Sequence, residues 1–247
     1  MNAPFHINIF GHGQPLVLLH GWGWDSTIWK PLIPKLSSSF QLFLVDLPGF
    51  GKSHPLINSY TCEAIVLELF QRVPVQSTWL GWSLGGMIAW WAATHYPERV
   101  NRLITVCSSP KFTSTANWPG VSPCTLEKFK ESLLNNTEKT LQEFLELQLR
   151  GSSSPPALDI EKIQFTQEGL YGGLHLLETL DLRASLSKVK IPSLHIFGSN
   201  DTLVPKSVVK LIEPEIKNGK CEIIQRAGHI PFLTHMDLFC ELIQFFF

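Results

Sequence analysis

Thr78-Trp79-Leu80-Gly81-Trp82-Ser83-Leu84-Gly85-Gly86-Met87-Ile88-Ala89-Trp90 carries the reading that decides the fold. Thr78 to Leu80 is a short apolar run of strand-forming residues. Leu84 to His95 is a helix-length segment that Pro97 stops. Between the two stands Gly81-Trp82-Ser83-Leu84-Gly85, a G-x-S-x-G pentapeptide. By composition alone such a pentapeptide arises about one time in ten in a chain of this length. Its place between a strand and a helix makes it specific. A sharp turn there lifts the serine above the sheet edge, and the flanking glycines remove the Cβ atoms that would clash. Ser83 is the candidate nucleophile.

Working outward, short apolar runs alternate with helix-length segments. Further strands are expected at Leu16–Leu19, Gln41–Val45, Leu103–Cys107, Ser193–Phe197 and Glu222–Gln225, with a helix over Cys62–Arg72. Near-continuous apolar strands alternating with helices predict an α/β fold: a mostly parallel sheet covered on both faces. The rhythm breaks between Lys111 and Leu180. That stretch has helical patterns at Leu126–Leu134, Leu141–Leu149, Ile160–Gln167 and Leu174–Leu180, and a Ser/Pro-rich break at Gly151–Pro156. It is too long for one crossover. Residues 111–180 are therefore expected to form an inserted helical cap, with 1–110 and 181–247 forming the core. The closing Phe245-Phe246-Phe247 is expected to end a terminal helix that begins near Asp237.

A serine hydroxyl needs a base, and the base needs an orienting acid. Where this pentapeptide forms the turn from a strand of a parallel sheet into a helix, the chain order is serine, acid, histidine, with the last two on loops after late strands. His229 follows the last expected strand directly, in Arg226-Ala227-Gly228-His229, while His235 opens the final helix. Asp201 lies on the loop after Ser193–Phe197, in Gly198-Ser199-Asn200-Asp201. A tetrahedral intermediate needs backbone N–H donors. One is expected from Leu84 at the helix start and one from Trp22 in His20-Gly21-Trp22-Gly23, with His20 holding that loop by side-chain hydrogen bonds. Phe144 and Leu147, three apart on one helix, are expected to share a face and to form an apolar acyl slot with Trp22 and Met87.

The 247 residues include 44% hydrophobic and 17% charged residues, enough apolar material for a sizeable core. The net charge of −1 gives no sign of a nucleic-acid or anionic-membrane partner. No apolar stretch reaches the ~20 residues of a membrane span. No basic residue followed by an apolar run opens the chain, so no secretory leader is expected. Cys62, Cys107, Cys124, Cys221 and Cys240 are scattered without C-x-x-C, which disfavours a disulfide framework or a zinc ribbon and fits a reducing cytoplasm. Phe50-Gly51-Lys52-Ser53 ends like a phosphate loop, but position 46 is Asp where that motif needs Gly. Neither a metal nor another cofactor is expected.

Leu18–Gly23, the Asp46–Ser53 turn, Gly81–Gly86 and Ala227–His229 resemble the α/β-hydrolase superfamily. Trp82 before the nucleophile, Trp118-Pro119-Gly120, Phe144–Gln148 and Thr179–Arg183 narrow the resemblance to the pimeloyl-[acyl-carrier protein] methyl ester esterases of biotin synthesis. The resemblance covers nearly the whole chain. It implies a cytoplasmic, monomeric serine carboxylesterase that frees the pimeloyl carboxylate and methanol. It also implies a substrate site made of Trp22, Ser83, Leu84, Phe144, Leu145, Glu146, Leu147, Gln148 and His229. It implies an acyl-carrier protein docked on basic cap residues, here Lys139, Arg150 and Lys162. The charge pattern departs from that expectation: Lys111–Leu180 has six Lys/Arg against nine Asp/Glu, with Glu143 and Pro156 where basic residues are expected. The alternatives with the same triad are a general short-chain carboxylesterase and a carbon–carbon bond hydrolase. A ligand-binding receptor on this fold would need none of the three catalytic residues.

Overall fold

The computed structural model describes residues 5–56, 60–149 and 162–247. The chain runs β1 (Ile7–Phe10), β2 (Gln14–Leu19), α1 (Ile33–Leu36), β3 (Phe40–Val45), α2 (Cys62–Leu69), β4 (Ser77–Trp82), α3 (Leu84–His95) and β5 (Val100–Val106). Three longer helices follow, α4 (Pro123–Asn135), α5 (Thr137–Leu149) and α6 (Gln167–Thr179). The chain then closes with β6 (Ser193–Gly198), α7 (Val209–Ile212), β7 (Gly219–Ile224), α8 (Pro231–Thr234) and α9 (Met236–Phe246).

The strands form one seven-stranded sheet in the order β1-β3-β2-β4-β5-β6-β7. All neighbours are parallel except β1 and β3. Every residue of β4 and of β6 is buried, as expected for strands covered on both faces. β2 is flanked by β3 on one side and β4 on the other, so the connections diverge there. In an open sheet such a switch point leaves a crevice at the carboxyl ends of the strands. The residues that follow β2, β4, β5, β6 and β7 all emerge at that edge.

The expected strands are present with small shifts, β7 starting and ending earlier than its apolar run suggests. β1 is an addition. Its four residues are too few to show an alternating pattern, and Ile9 on this edge strand is 54% exposed. The helix expected over 160–167 is not formed at 163–166, although Gln167 opens α6. Phe165 instead pairs with Phe50 in an isolated antiparallel bridge, and Thr166 caps α6 by accepting from the Gly169 N–H at 3.1 Å. The bridge uses the backbone groups that a helix would have needed for itself.

α4, α5 and α6 all lie between β5 and β6 in the chain. Ser122 caps α4 through the Thr125 N–H at 3.0 Å, with Pro123 at its first position. The segment leaves and rejoins the core at one place. Lys111 and Asp181 form an isolated antiparallel bridge and an ion pair at 3.3 Å, and the Leu182 N–H donates to the Pro110 carbonyl at 2.8 Å. Arg183 also binds Asp181, at 2.7 Å, and this hydrogen bond holds the Asp181 carboxyl below its usual range. Arg183 lies over the Trp118 ring, 5.5 Å from its centroid.

Candidate active site

The turn from β4 to α3 is built as its glycines demand. A Cβ on Gly81 would collide with the Gly85 carbonyl, and one on Gly85 with the Leu19 carbonyl. Ser83 between them has φ 53° and ψ −117°, a backbone conformation costly for a non-glycine residue. Neighbouring groups hold it there. Its N–H donates to the Val106 carbonyl at 3.0 Å, and its own carbonyl accepts from Ser108 Oγ at 2.7 Å. Leu84 occupies the first helical position of α3, where backbone N–H groups lack partners within the helix and the dipole favours negative charge.

His229 and Asp201 come together from the loops after β7 and β6. His229 Nδ1 donates to Asp201 Oδ2 at 2.8 Å, both side chains being almost wholly buried. The other carboxylate oxygen, Oδ1, accepts from the Leu203 N–H at 2.9 Å and the Val204 N–H at 3.0 Å. The acid is thus oriented from both ends. His229 Nε2 is buried and has no hydrogen-bond partner among the described residues. Trp82, the residue before Ser83, donates its indole N–H to the His229 carbonyl at 2.8 Å. The serine turn and the histidine loop are thereby tied directly.

Cys107 was not singled out by sequence. It follows β5 at φ 44°, and its thiol lies 3.7 Å from the Gly228 carbonyl. Ligand atoms of Cys107, Asp201 and His229 lie within 4.8 Å of one another. Two donors on one zinc stand about 3.3 Å apart. The 2.8 Å separation of His229 Nδ1 and Asp201 Oδ2 is a hydrogen bond, too short for a shared ion. Burial, with the Asp201 charge beside it, raises the Cys107 thiol well above its ordinary value and keeps it protonated. Only the positive φ after β5 would have marked this residue, and sequence does not display it.

The loop after β2 sits against this centre. His20 donates from Nδ1 to the Gly21 carbonyl at 2.8 Å and accepts the Leu47 N–H on Nε2 at 2.9 Å. The two partners define one neutral tautomer, and burial lowers the pKa of the ring. Gly21 lets the loop lie on the Trp82 indole, since a Cβ there would stand 2.9 Å from the ring. The Trp22 indole donates to the Leu170 carbonyl of α6 at 2.8 Å. The Trp24 indole donates to Gln148 Oε1 of α5 at 2.6 Å.

Above the loop lies a pocket of about 450 Å³, counted to its open mouth. Leu126 and Phe129 of α4, Phe144 and Leu147 of α5, and Leu174 and Leu177 of α6 form its roof. Trp22 and Leu203 reach it from the loops after β2 and β6, and every lining residue except Thr125 is apolar. Trp22 meets Phe129 and Phe144 edge-on at 5.5 and 5.3 Å.

The structure therefore divides the expected substrate residues. Trp22, Phe144 and Leu147 line the pocket. Leu145 is buried toward the Gly21–Gly23 loop, Glu146 is exposed and bonded to Gln142, and Gln148 is buried on Trp24. Met87 is buried in α3 away from the lining, and Leu84 packs beneath Gly173. Lys139 is exposed and 3.8 Å from Glu143, Lys162 is exposed, and Arg150 lies outside the described residues. Among the described residues no helix is long and apolar enough to cross a membrane.

A profile of the alpha/beta hydrolase fold family matches residues 14–236. A protein of Legionella pneumophila (strain Lens) named pimeloyl-[acyl-carrier protein] methyl ester esterase is 39% identical over 98% of both chains. A protein of the same name from Klebsiella pneumoniae (strain 342) is 40% identical over 92% of this chain and 90% of its own. Among solved structures, an esterase from Exiguobacterium antarcticum superposes with a TM-score of 0.89 at 24% identity, covering 98% of this chain and 95% of that one.

Proposed function

The chain belongs to the alpha/beta hydrolase fold family and, within it, to the pimeloyl-[acyl-carrier protein] methyl ester esterases, and from that premise we propose its reaction and the residues that perform it. It is a serine carboxylesterase that hydrolyses the methyl ester of pimeloyl-acyl-carrier protein. The observation that carries this reading is the buried Asp201–His229 hydrogen bond, with Nε2 left unpartnered beside the strained Ser83 turn.

Ser83 Oγ attacks the ester carbonyl and His229 Nε2 takes the hydroxyl proton. Asp201 holds Nδ1–H in place and stabilises the imidazolium. The backbone N–H groups of Leu84 and Trp22 receive the oxyanion. His229 then gives its proton to the departing methoxide, and methanol leaves an acyl-enzyme. Water, activated by the same Nε2, frees the pimeloyl carboxylate and restores Ser83. The apolar pocket takes the methylene chain, and residues 111–180 act as the cap over it. The protein works as a cytoplasmic monomer, and the carrier docks near Lys139, Arg150 and Lys162.

The test is methanol release from pimeloyl-acyl-carrier protein methyl ester by the purified protein. We expect turnover that is lost with Ser83→Ala, and complementation of a biotin-requiring strain by the wild type only. Electrostatic docking would make kcat/KM for the carrier substrate fall with salt while that for a small methyl ester stays level. Ser83-dependent turnover of small esters alone would leave a general carboxylesterase in place of this reading.

A further inference from the structure

Gln148 and Trp24 form a link that neither the chemistry nor the acyl pocket uses. Trp24 is 2% exposed and Gln148 is 3% exposed, and their 2.6 Å hydrogen bond joins positions 124 residues apart. Gln148 lies in α5, one residue from the pocket-lining Leu147. Trp24 lies two residues from Trp22, in a tight turn where the Trp24 N–H donates to the Gly21 carbonyl at 3.3 Å. Its ring stands 6.1 Å from that of Trp82, the residue that precedes Ser83 and binds the His229 carbonyl. The same loop is held a second time by the Trp22 indole on the Leu170 carbonyl of α6. Two indole N–H groups of one loop thus reach two different helices of the 111–180 segment.

We propose that Gln148 is a positioning residue: by fixing the Trp24 indole it holds the Trp22 backbone N–H at the place the oxyanion will occupy, so that seating of the helical segment is coupled to transition-state stabilisation. This rests on the serine esterase reading above. A substrate contact is the role that family resemblance suggests for Gln148, and its burial with Oε1 already occupied argues for this one instead. An oxyanion donor is useful only when it stands within hydrogen-bond distance of the developing charge. The loop is fixed at one end by His20 and at the other by the Ser26 N–H, which donates to Asp46 Oδ1 at 2.8 Å. The indole bonds of Trp22 and Trp24 hold the span between them.

The experiment measures kcat and KM of the full chain for p-nitrophenyl acetate, whose acyl group is too short to fill the pocket, and for p-nitrophenyl hexanoate. Trp24→Phe removes the N–H and keeps a ring, and Gln148→Met removes the acceptor and keeps the volume. Each should lower kcat about 10-fold on both esters, less than the ~10²–10³ of a lost donor, with KM for the acetate unchanged. The double variant should be no worse than either single one, because one bond is broken in each case. Labelling of Ser83 by a fluorophosphonate should slow in parallel, and melting temperatures distinguish a displaced loop from a loss of fold. Unchanged kcat in folded single variants would overturn the proposal. So would a loss confined to KM for the hexanoate, which would make Gln148 a substrate contact, or losses that multiply in the double variant. If the wild type shows no turnover that Ser83→Ala abolishes, the esterase reading itself has failed, and with it the proposal.

Discussion

The floor of the site and its roof are fixed by different kinds of bond. In the floor, backbone groups set nearly every position. Ser83 is pinned by Val106 and Ser108, Asp201 by the N–H groups of Leu203 and Val204, and the His229 carbonyl by Trp82. In the roof, α4, α5 and α6 present apolar side chains to the pocket, and two indoles pin α5 and α6 to the loop after β2. Directional bonds of fixed length place reacting atoms, whereas apolar contact rewards area and tolerates many shapes. The contrast predicts that damage to the floor or to the two indole links removes rate, and damage to the apolar face of the roof changes which ester is preferred.

The sharpest way to break that contrast is at Ser83. Ser83→Ala should lower kcat by roughly 10⁵–10⁶-fold, and adding His229→Ala should make it scarcely worse. Multiplied losses in the double variant would show that the two residues do not act as a unit. Asp201→Asn comes next. It keeps the shape of the floor but favours the wrong imidazole tautomer, and the expected loss is about 10⁴-fold in kcat with little change in KM.

A third test probes the sheet beneath the floor through acidity. His195 in β6 is wholly buried, bonded to Thr105 Oγ1 at 2.7 Å and Ser193 Oγ at 3.1 Å, and stacked on Trp90 at 4.5 Å. Burial lowers its pKa from 6.5 to about 3. The unfolded chain therefore binds this proton below pH 6.5 while the folded one refuses it until about pH 3. Folding stability falls as pH drops through that window. Between pH 7.5 and 5.0 the His195 share is about 2 kcal/mol. Urea unfolding at the two pH values should show this loss in the wild type and a flatter dependence in His195→Gln. Equal slopes would place the acid sensitivity elsewhere.

The smallest effect belongs to the roof. Phe144→Ala removes one edge of the ring cluster with Trp22 and Phe129, and should reduce kcat/KM for hexanoyl and octanoyl esters about tenfold relative to acetyl esters. An equal loss on all chain lengths would mean that the apolar face of the roof contributes to rate as the floor does.

The same difference explains what could be read in advance. The floor is written in local signals: a glycine-flanked serine between strand and helix, and an aspartate and a histidine just past strand ends. Its unreadable member is Cys107, because a positive φ at a non-glycine residue leaves no mark in sequence. In the roof the apolar faces were legible, but the reach of each side chain was not. Successive helical residues point about 100° apart, so Phe144 to Gln148 cannot all face one pocket. Phe144 and Leu147 do, while Leu145 and Gln148 turn inward and Glu146 turns out. The failure of the helix expected over 160–167 at 163–166 has a similar cause, since its backbone was claimed by a partner more than a hundred positions away at Phe50.

The crossing of the chain at Pro110–Lys111 and Asp181–Leu182 has a consequence for how such a molecule changes over generations. The two strands of this neck are hydrogen-bonded side by side, so the ends of everything between them are already held together. Chain closure costs little more for a longer insertion than for a shorter one, growing only as the logarithm of length. A different helical module could be spliced in at the neck while the sheet and its reactive residues keep their register. Substrate range could then drift by exchange of whole modules, leaving the bond-breaking machinery as an inherited constant.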